Sequence, residues 1–208
     1  MYVDDILKIK DLVLNVPEFL KFNNIKMQYS ERFVEMLNSK FIGFLTRNKT
    51  KLVCRCIDPS CELRYLNIQT NNGIYEKDFY SIDLMENFTL EKENDIVFTE
   101  GIIDAINITN NPMFKKLIDK TASIVACLGN DYRNSIFSTF HHLKIIDGNV
   151  HIFSDNEKDL NLKETLLKKY KNLTYIPNIK KLYLYWNTEE KDYSYTPDKL
   201  KIKFKQLK

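Results

Sequence analysis

The chain has 208 residues, with 31 Lys and Arg against 28 Asp and Glu and a formal charge of +3 at pH 7. A composition of 44% hydrophobic and 28% charged residues excludes a disordered chain. No apolar run approaches the roughly 18–20 residues that cross a bilayer, and the opening MYVDDILKIKDLVLNV carries acids where a secretory signal needs a basic start.

The first forty residues have helical texture. Ile6, Ile9, Leu12 and Val13 recur at helical spacing after Asp4 and Asp5. Pro17 suits the first turn of a second helix carrying Phe19, Leu20 and Phe22, and Ser30 precedes a third with Phe33, Val34 and Leu37 on one face. Near residue 40 the pattern turns to short strands. Residues 41–46, 51–57 and 63–69 are rich in apolar and β-branched residues, separated by Asn48-Lys49-Thr50 and Asp58-Pro59-Ser60. A small antiparallel sheet is expected. Alternation puts Lys51, Val53, Arg55 and Ile57 on one of its faces, with Arg47 and Arg64 flanking it.

The cysteines are Cys54, Cys56, Cys61 and Cys127. With no secretory start, they are expected as buried thiols in a reducing compartment. A zinc site from the first three lacks paired C-x2-C knuckles.

An acidic, polar connector, LMENFTLEKEN, occupies residues 84–94. It divides an N-terminal α+β subdomain (1–90; helical over 1–38, small sheet over 40–80) from a second domain over 91–208. There the texture is strand–helix alternation. DIVFT (95–99) is a strand and 101–109 a helix ended by Asn110-Asn111-Pro112. SIVAC (123–127) is a strand followed by Leu128-Gly129-Asn130 and a helix through about His142. VHIFS (150–154) is a strand leading into a helix near 160–170, and residues 173–176 are a fourth strand. Residues 182–186, LYLYW, alternate as a further strand. Such alternation implies parallel βαβ units in an open α/β sheet, so the whole chain is α+β with an α/β second domain.

Ligands of an open α/β sheet sit beyond the carboxyl ends of its strands. Glu100 follows the first of these strands, and Asp155 and Glu157 follow the third, so three acids project from one edge. Asp104 returns to that rim from the first helical turn. Clustered carboxylates repel each other and are costly to keep ionised without a cation. Hard oxygen donors suit Mg2+ or Mn2+, which neutralise charge in phosphoryl and nucleotidyl transfer. The plain alternative is unrelated acids at helix starts, where the helix dipole favours them.

IVFTEGIIDAINI (96–108) resembles the first motif of a TOPRIM domain: a hydrophobic strand, Glu-Gly, then Asp four residues after the Glu. HIFSDNEKD (151–159) resembles the second, a strand ending in acid-x-acid, with Glu157 where many members have Asp. SIVACLGN (123–130) resembles the strand and glycine turn of TOPRIM primases. The similarity covers about residues 94–195. EKDY (190–193) is similar to a late Lys-Asp segment of phage and bacterial primases and adds Asp192.

The resemblance implies the catalytic core of a bacterial or phage-type DNA primase. Glu100, Asp104, Asp155 and Glu157 would be its catalytic acids, and Glu100, Asp155, Glu157 and Asp192 its ligands for Mg2+ or Mn2+. Residues 41–68 look like a reduced version of the subdomain that offers such enzymes a basic surface. Arg47, Lys51, Arg55 and Arg64 are the candidate nucleic-acid contacts. The implied partners are single-stranded DNA template, ribonucleoside triphosphates, a replicative helicase and a separate zinc-binding primase module, in the cytoplasm, or the host cytoplasm for a phage-encoded chain. A TOPRIM metal-dependent nuclease acting on DNA or RNA is the alternative, and a non-enzymatic replication accessory a third. A type IA topoisomerase would need a further domain bearing its tyrosine, so Tyr65, Tyr80 and Tyr132 are expected as packing residues.

Overall fold

The computed structural model describes residues 41–48, 51–56, 60, 62, 65–69, 78–84, 94–129, 132–144, 147–154, 178–188 and 201–206. The helices expected over 1–38 and near 160–170, and the strand expected over 173–176, lie outside the described residues. The chain divides into two compact units between Tyr80 and Ser81. The boundary expected at residue 90 lies outside the described residues.

In the first unit, β1 (Phe41–Leu45), β2 (Lys51–Cys56) and β3 (Tyr65–Gln69) form an antiparallel sheet in sequence order. Both ladders have an unbroken register, with Phe44 opposite Val53 and Arg55 opposite Tyr65. The β1–β2 turn is closed by three hydrogen bonds of Thr46. Its N–H and hydroxyl both donate to the Lys51 carbonyl, and its hydroxyl accepts from the Lys51 N–H, all at 3.0 Å. Phe44 and Leu52 are fully buried, and Phe44 meets the Tyr80 ring edge-on at 5.8 Å.

One cysteine departs from the sequence reading. Cys54 and Cys127 are buried and outside any disulfide, but Cys56 is disulfide-bonded. Cys54 lies inside β2, where burial pushes its thiol up to about 12 and keeps it neutral. Cys56 is the last residue of β2. A sulfur in a disulfide is not a thiolate ligand, so Cys56 is lost to any zinc site.

The second sheet has the strand order β4-β6-β5-β7-β8-β9. Its members are β4 (Tyr80–Asp83), β5 (Asn94–Thr99), β6 (Thr121–Ala126), β7 (Asp147–Ser154), β8 (Asn178–Asn187) and β9 (Ile202–Gln206). Strands β6, β5, β7 and β8 run parallel, and β9 is antiparallel to β8. Helix α1 (Ile102–Asn110), a 3-10 turn (Pro112–Phe114) and α2 (Lys115–Ile118) connect β5 to β6, and α3 (Tyr132–Leu143) connects β6 to β7. The central strands are covered on both faces, which accounts for their continuous apolar runs. All six residues of β6 are buried, as are seven of the eight in β7. Ile96, Phe98, Ile124, Val125, Val150, Ile152 and Leu184 are fully buried, each worth roughly 1.5–3 kcal/mol relative to exposure.

The strand order sets the topology. From β5 the chain steps one way to β6, then crosses back past β5 to β7, and from there continues outward to β8. Right-handed crossovers then put α1 and α3 on opposite faces. Phe114, after α1, packs edge-on against Phe153 at 5.1 Å. From α3, Phe140 comes within 3.2 Å of where a side chain at Gly148 would begin. The strand-order reversal therefore falls between β5 and β7. Among the described residues no helix is long and apolar enough to cross a membrane.

Candidate active site at the carboxyl edge of the sheet

Glu100 leaves β5 at the topological switch point, the crevice where open α/β sheets bind ligands. The parallel register pairs Phe98 with Ile152, so β5 and β7 end side by side. Glu100 follows one strand end. Asp155 follows the other in the chain but lies, with Glu157 and Asp192, outside the described residues. Among the described residues no group of three or more His, Cys, Asp or Glu gathers to hold a metal ion.

The β5–α1 turn is built by hydrogen bonds. The Thr99 hydroxyl donates to the Gly101 carbonyl at 2.9 Å. The Gly101 N–H donates to Asp104 Oδ2 at 3.2 Å, and the Ala105 N–H to the Gly101 carbonyl at the same distance. Asp104 thus caps the helix that follows Glu100. Its carboxylate is buried, with the residue 8% exposed. Gly101 has an ordinary extended φ of −116°. Its lack of a side chain matters for space: a Cβ there would lie 2.8 Å from Asp104 Oδ2.

The loop after β6 braces the same turn. The Cys127 N–H donates to the Thr99 carbonyl at 2.9 Å and the Gly129 N–H to the Glu100 carbonyl at 3.2 Å. Leu128 has φ 55° and Gly129 φ 126°. Two successive left-handed residues reverse the chain onto Glu100, and glycine takes the second at no steric cost. The main chain of Glu100 is therefore held from both sides, while its side chain is half-buried. Glu100 offers a carboxylate at the edge, and Asp104, with one oxygen on the Gly101 N–H, holds the turn.

In the first unit, Arg55 and Lys51 are half-buried on β2. The Arg55 guanidinium lies over the Tyr65 ring, 4.5 Å from its centroid, a cation–π contact. Tyr65 is 46% exposed, so it is not the packing residue expected, whereas Tyr80 and Tyr132 are buried. Arg47 lies over the Phe79 ring at 4.9 Å, and its N–H donates to the Phe79 carbonyl at 2.8 Å. Its guanidinium is thus engaged in packing. Arg64 lies outside the described residues.

A buried polar network had no clear signal in the sequence. Asp95, Asn149, His151 and Tyr185 meet across β5, β7 and β8. Asn149 Nδ2 donates to Asp95 Oδ1 at 2.7 Å, His151 Nε2 lies 3.6 Å from the same oxygen, and His151 Nδ1 is 3.0 Å from the Tyr185 hydroxyl. Burial raises the Asp95 pKa, but the contacts from His151 and Asn149 outweigh it and hold the carboxyl below its ordinary value. Burial, with the neighbouring Tyr183 and Asp95, pushes the Tyr185 hydroxyl up to about 12. The alternation of 182–186 assigned faces within one strand, but not which strands are its neighbours.

The fold and its acidic turn define an α/β protein whose switch-point edge begins with Glu100. No family model and no curated protein matches the sequence. Among solved structures the chain is similar to the DnaG catalytic core, with a TM-score of 0.50 at 15% identity over 84% of this chain and 57% of that one. It is also similar to a DNA primase domain from Pseudomonas aeruginosa (TM-score 0.48, 15% identity, 74% and 46%). A third is the DnaG primase catalytic domain bound to ssDNA (TM-score 0.48, 16% identity, 85% and 56%). The chain spans about half the length of these structures. At such identity the likeness is one of fold, and the fold is that of a DnaG-type primase core.

Proposed function

We propose that the chain is a DNA primase catalytic core, joining ribonucleotides on a single-stranded DNA template by divalent-metal-dependent nucleotidyl transfer. The observation that carries this reading is the switch point. In a sheet with the fold of a primase core, β5 and β7 end side by side, and the turn that presents Glu100 is braced by Asp104 and Gly129.

Glu100, Asp155 and Glu157 would hold Mg2+ or Mn2+, with Asp192 a further candidate ligand. The metal would supply charge neutralisation on the triphosphate and the departing pyrophosphate. Asp104 fixes the Gly101 amide and so the direction in which Glu100 leaves the strand. The 3′-hydroxyl of the growing primer attacks the α-phosphate of the incoming nucleotide, so the chain needs no nucleophile of its own. Arg55, oriented on Tyr65, would contact template phosphates, with Lys51 beside it on the same strand. The expected partners are a replicative helicase and a separate zinc-binding primase module.

The test is incubation of the chain with single-stranded DNA, labelled ribonucleotides and Mg2+ or Mn2+. Short labelled products that disappear in Glu100→Gln are expected. Degradation of the template would place a nuclease on the same acids, and neither product nor degradation would overturn the reading.

A further inference from the structure

Three rings form one cross-strand row in the second sheet. The register pairs Phe153 with Tyr185 and Tyr185 with Phe204. Phe153 and Tyr185 stack at 4.4 Å with planes 4° apart, and Tyr185 and Phe204 stack at 5.7 Å with planes 27° apart. Exposure rises outward along the row: Phe153 is fully buried, Tyr185 is half-buried and Phe204 is 65% exposed. The middle ring is anchored by its hydroxyl on His151. The stack is thus a rigid column that begins in the core and ends in solvent at the sheet edge.

The strand that carries Phe204 is basic. Residues 199–208, KLKIKFKQLK, contain five lysines and no acid, a local concentration that the overall charge of +3 conceals. Lys203 and Lys205, the chain neighbours of Phe204, are exposed; strand alternation puts them on the other face of the edge strand, in register with Trp186 and Leu184. Lysines on an edge strand also disfavour pairing with another strand edge, which points away from a second copy and toward a polyanion. An exposed aromatic ring on a basic strand is how proteins bind single strands without reading sequence, because every base has a π-face.

We propose that Phe204 is a base-stacking platform for single-stranded DNA, with Lys203 and Lys205 reaching round the sheet edge from the other face of β9 to contact its phosphates. This rests on the reading of the chain as a primase core and adds a second point of contact for the strand, on β9. The base continues the column outward from Phe204, and the pre-ordered Tyr185 beneath it reduces the entropy lost on binding.

Fluorescence anisotropy of the full chain with labelled oligo-dT, and with an abasic strand of equal length, tests this. Phe204→Ala should weaken oligo-dT binding on the order of tenfold and leave abasic binding unchanged, and Phe204→Trp should restore it. The Lys203→Ala, Lys205→Ala double variant should weaken both strands and flatten the salt slope by about 0.7 per lysine. Oligo-dT binding by Phe204→Ala equal to that of the parent chain would overturn the platform. So would equal loss on both strands, or a change of oligomeric state with binding intact. Failure of the parent chain to bind oligo-dT at all would instead count against the primase reading itself.

Discussion

Asp104 Oδ2 occupies the space in which a side chain at position 101 would begin, 2.8 Å from an ideal Cβ, while accepting the Gly101 N–H at 3.2 Å. The glycine and the acid are one device. Gly101→Ala must expel the carboxylate from its cap, at a cost of about 1–2 kcal/mol, and Asp104→Ala removes the cap for about 1 kcal/mol. Because both act on one contact, the double variant should lose less than the sum, by at least about 0.5 kcal/mol. Urea melts of the four proteins check this, and additive losses would show that the two positions act separately.

Glu100→Gln should abolish primer synthesis with no loss of thermal stability, since the side chain is half-buried and the change nearly isosteric. Asp155→Asn and Glu157→Gln should each impair synthesis, Asp159→Asn less, and Glu157→Asp should keep it. Initial rates across a Mn2+ titration are the measurement. Equal damage from Asp159→Asn and Asp155→Asn would shift the register of the second motif.

Arg55 is the cation of the small sheet whose ring contact sets its direction. Arg55→Ala should weaken binding alike on every template and flatten the salt slope by about 0.7. Arg55→Lys should keep the slope but bind more weakly, because an ammonium lacks the planar stack on Tyr65. Tyr65→Ala should resemble Arg55→Lys. Anisotropy over a range of salt concentrations distinguishes them.

Asp95 links stability to pH. Its carboxyl is held below the ordinary value in the folded chain, so the unfolded chain takes up its proton first. The stabilisation is complete above the unfolded value, near 3.9, and is lost as pH falls through the lower folded value. Asp95→Asn should therefore melt several degrees below the parent at pH 7, and the gap should narrow toward pH 3. Thermal melts across that range would reveal a constant gap if the carboxylate's charge were immaterial.

How much of this was written in the sequence differs by element. Strands β5, β6 and β7 were legible because a strand buried on both faces must be apolar throughout, and IVF, SIVA and VHIF have no other use in a charged chain. Glu100 and Asp104 were legible because four-residue spacing after a strand returns a helical side chain to the strand's end. The edge strand β9 was not, since KIKFKQ lies on the surface and has no burial to pattern it. The direction of Tyr65 was hidden for a similar reason: alternation assigns a face, and only packing decides whether that face is covered.

The sequence by itself determined β5, β6 and β7 and the place of Glu100 after the first of them, because local propensity and burial act on neighbours in the chain. Tertiary structure alone decided which strand ends stand together. The order β6-β5-β7 places the end of β5 at Thr99 beside that of β7 at Ser154, and sets His151 between Asp95 and Tyr185. It also decided that Gly101 serves Asp104 and not a left-handed turn. Such relations depend on crossover handedness and on close packing across the sheet, and neither has a period that a single chain can display.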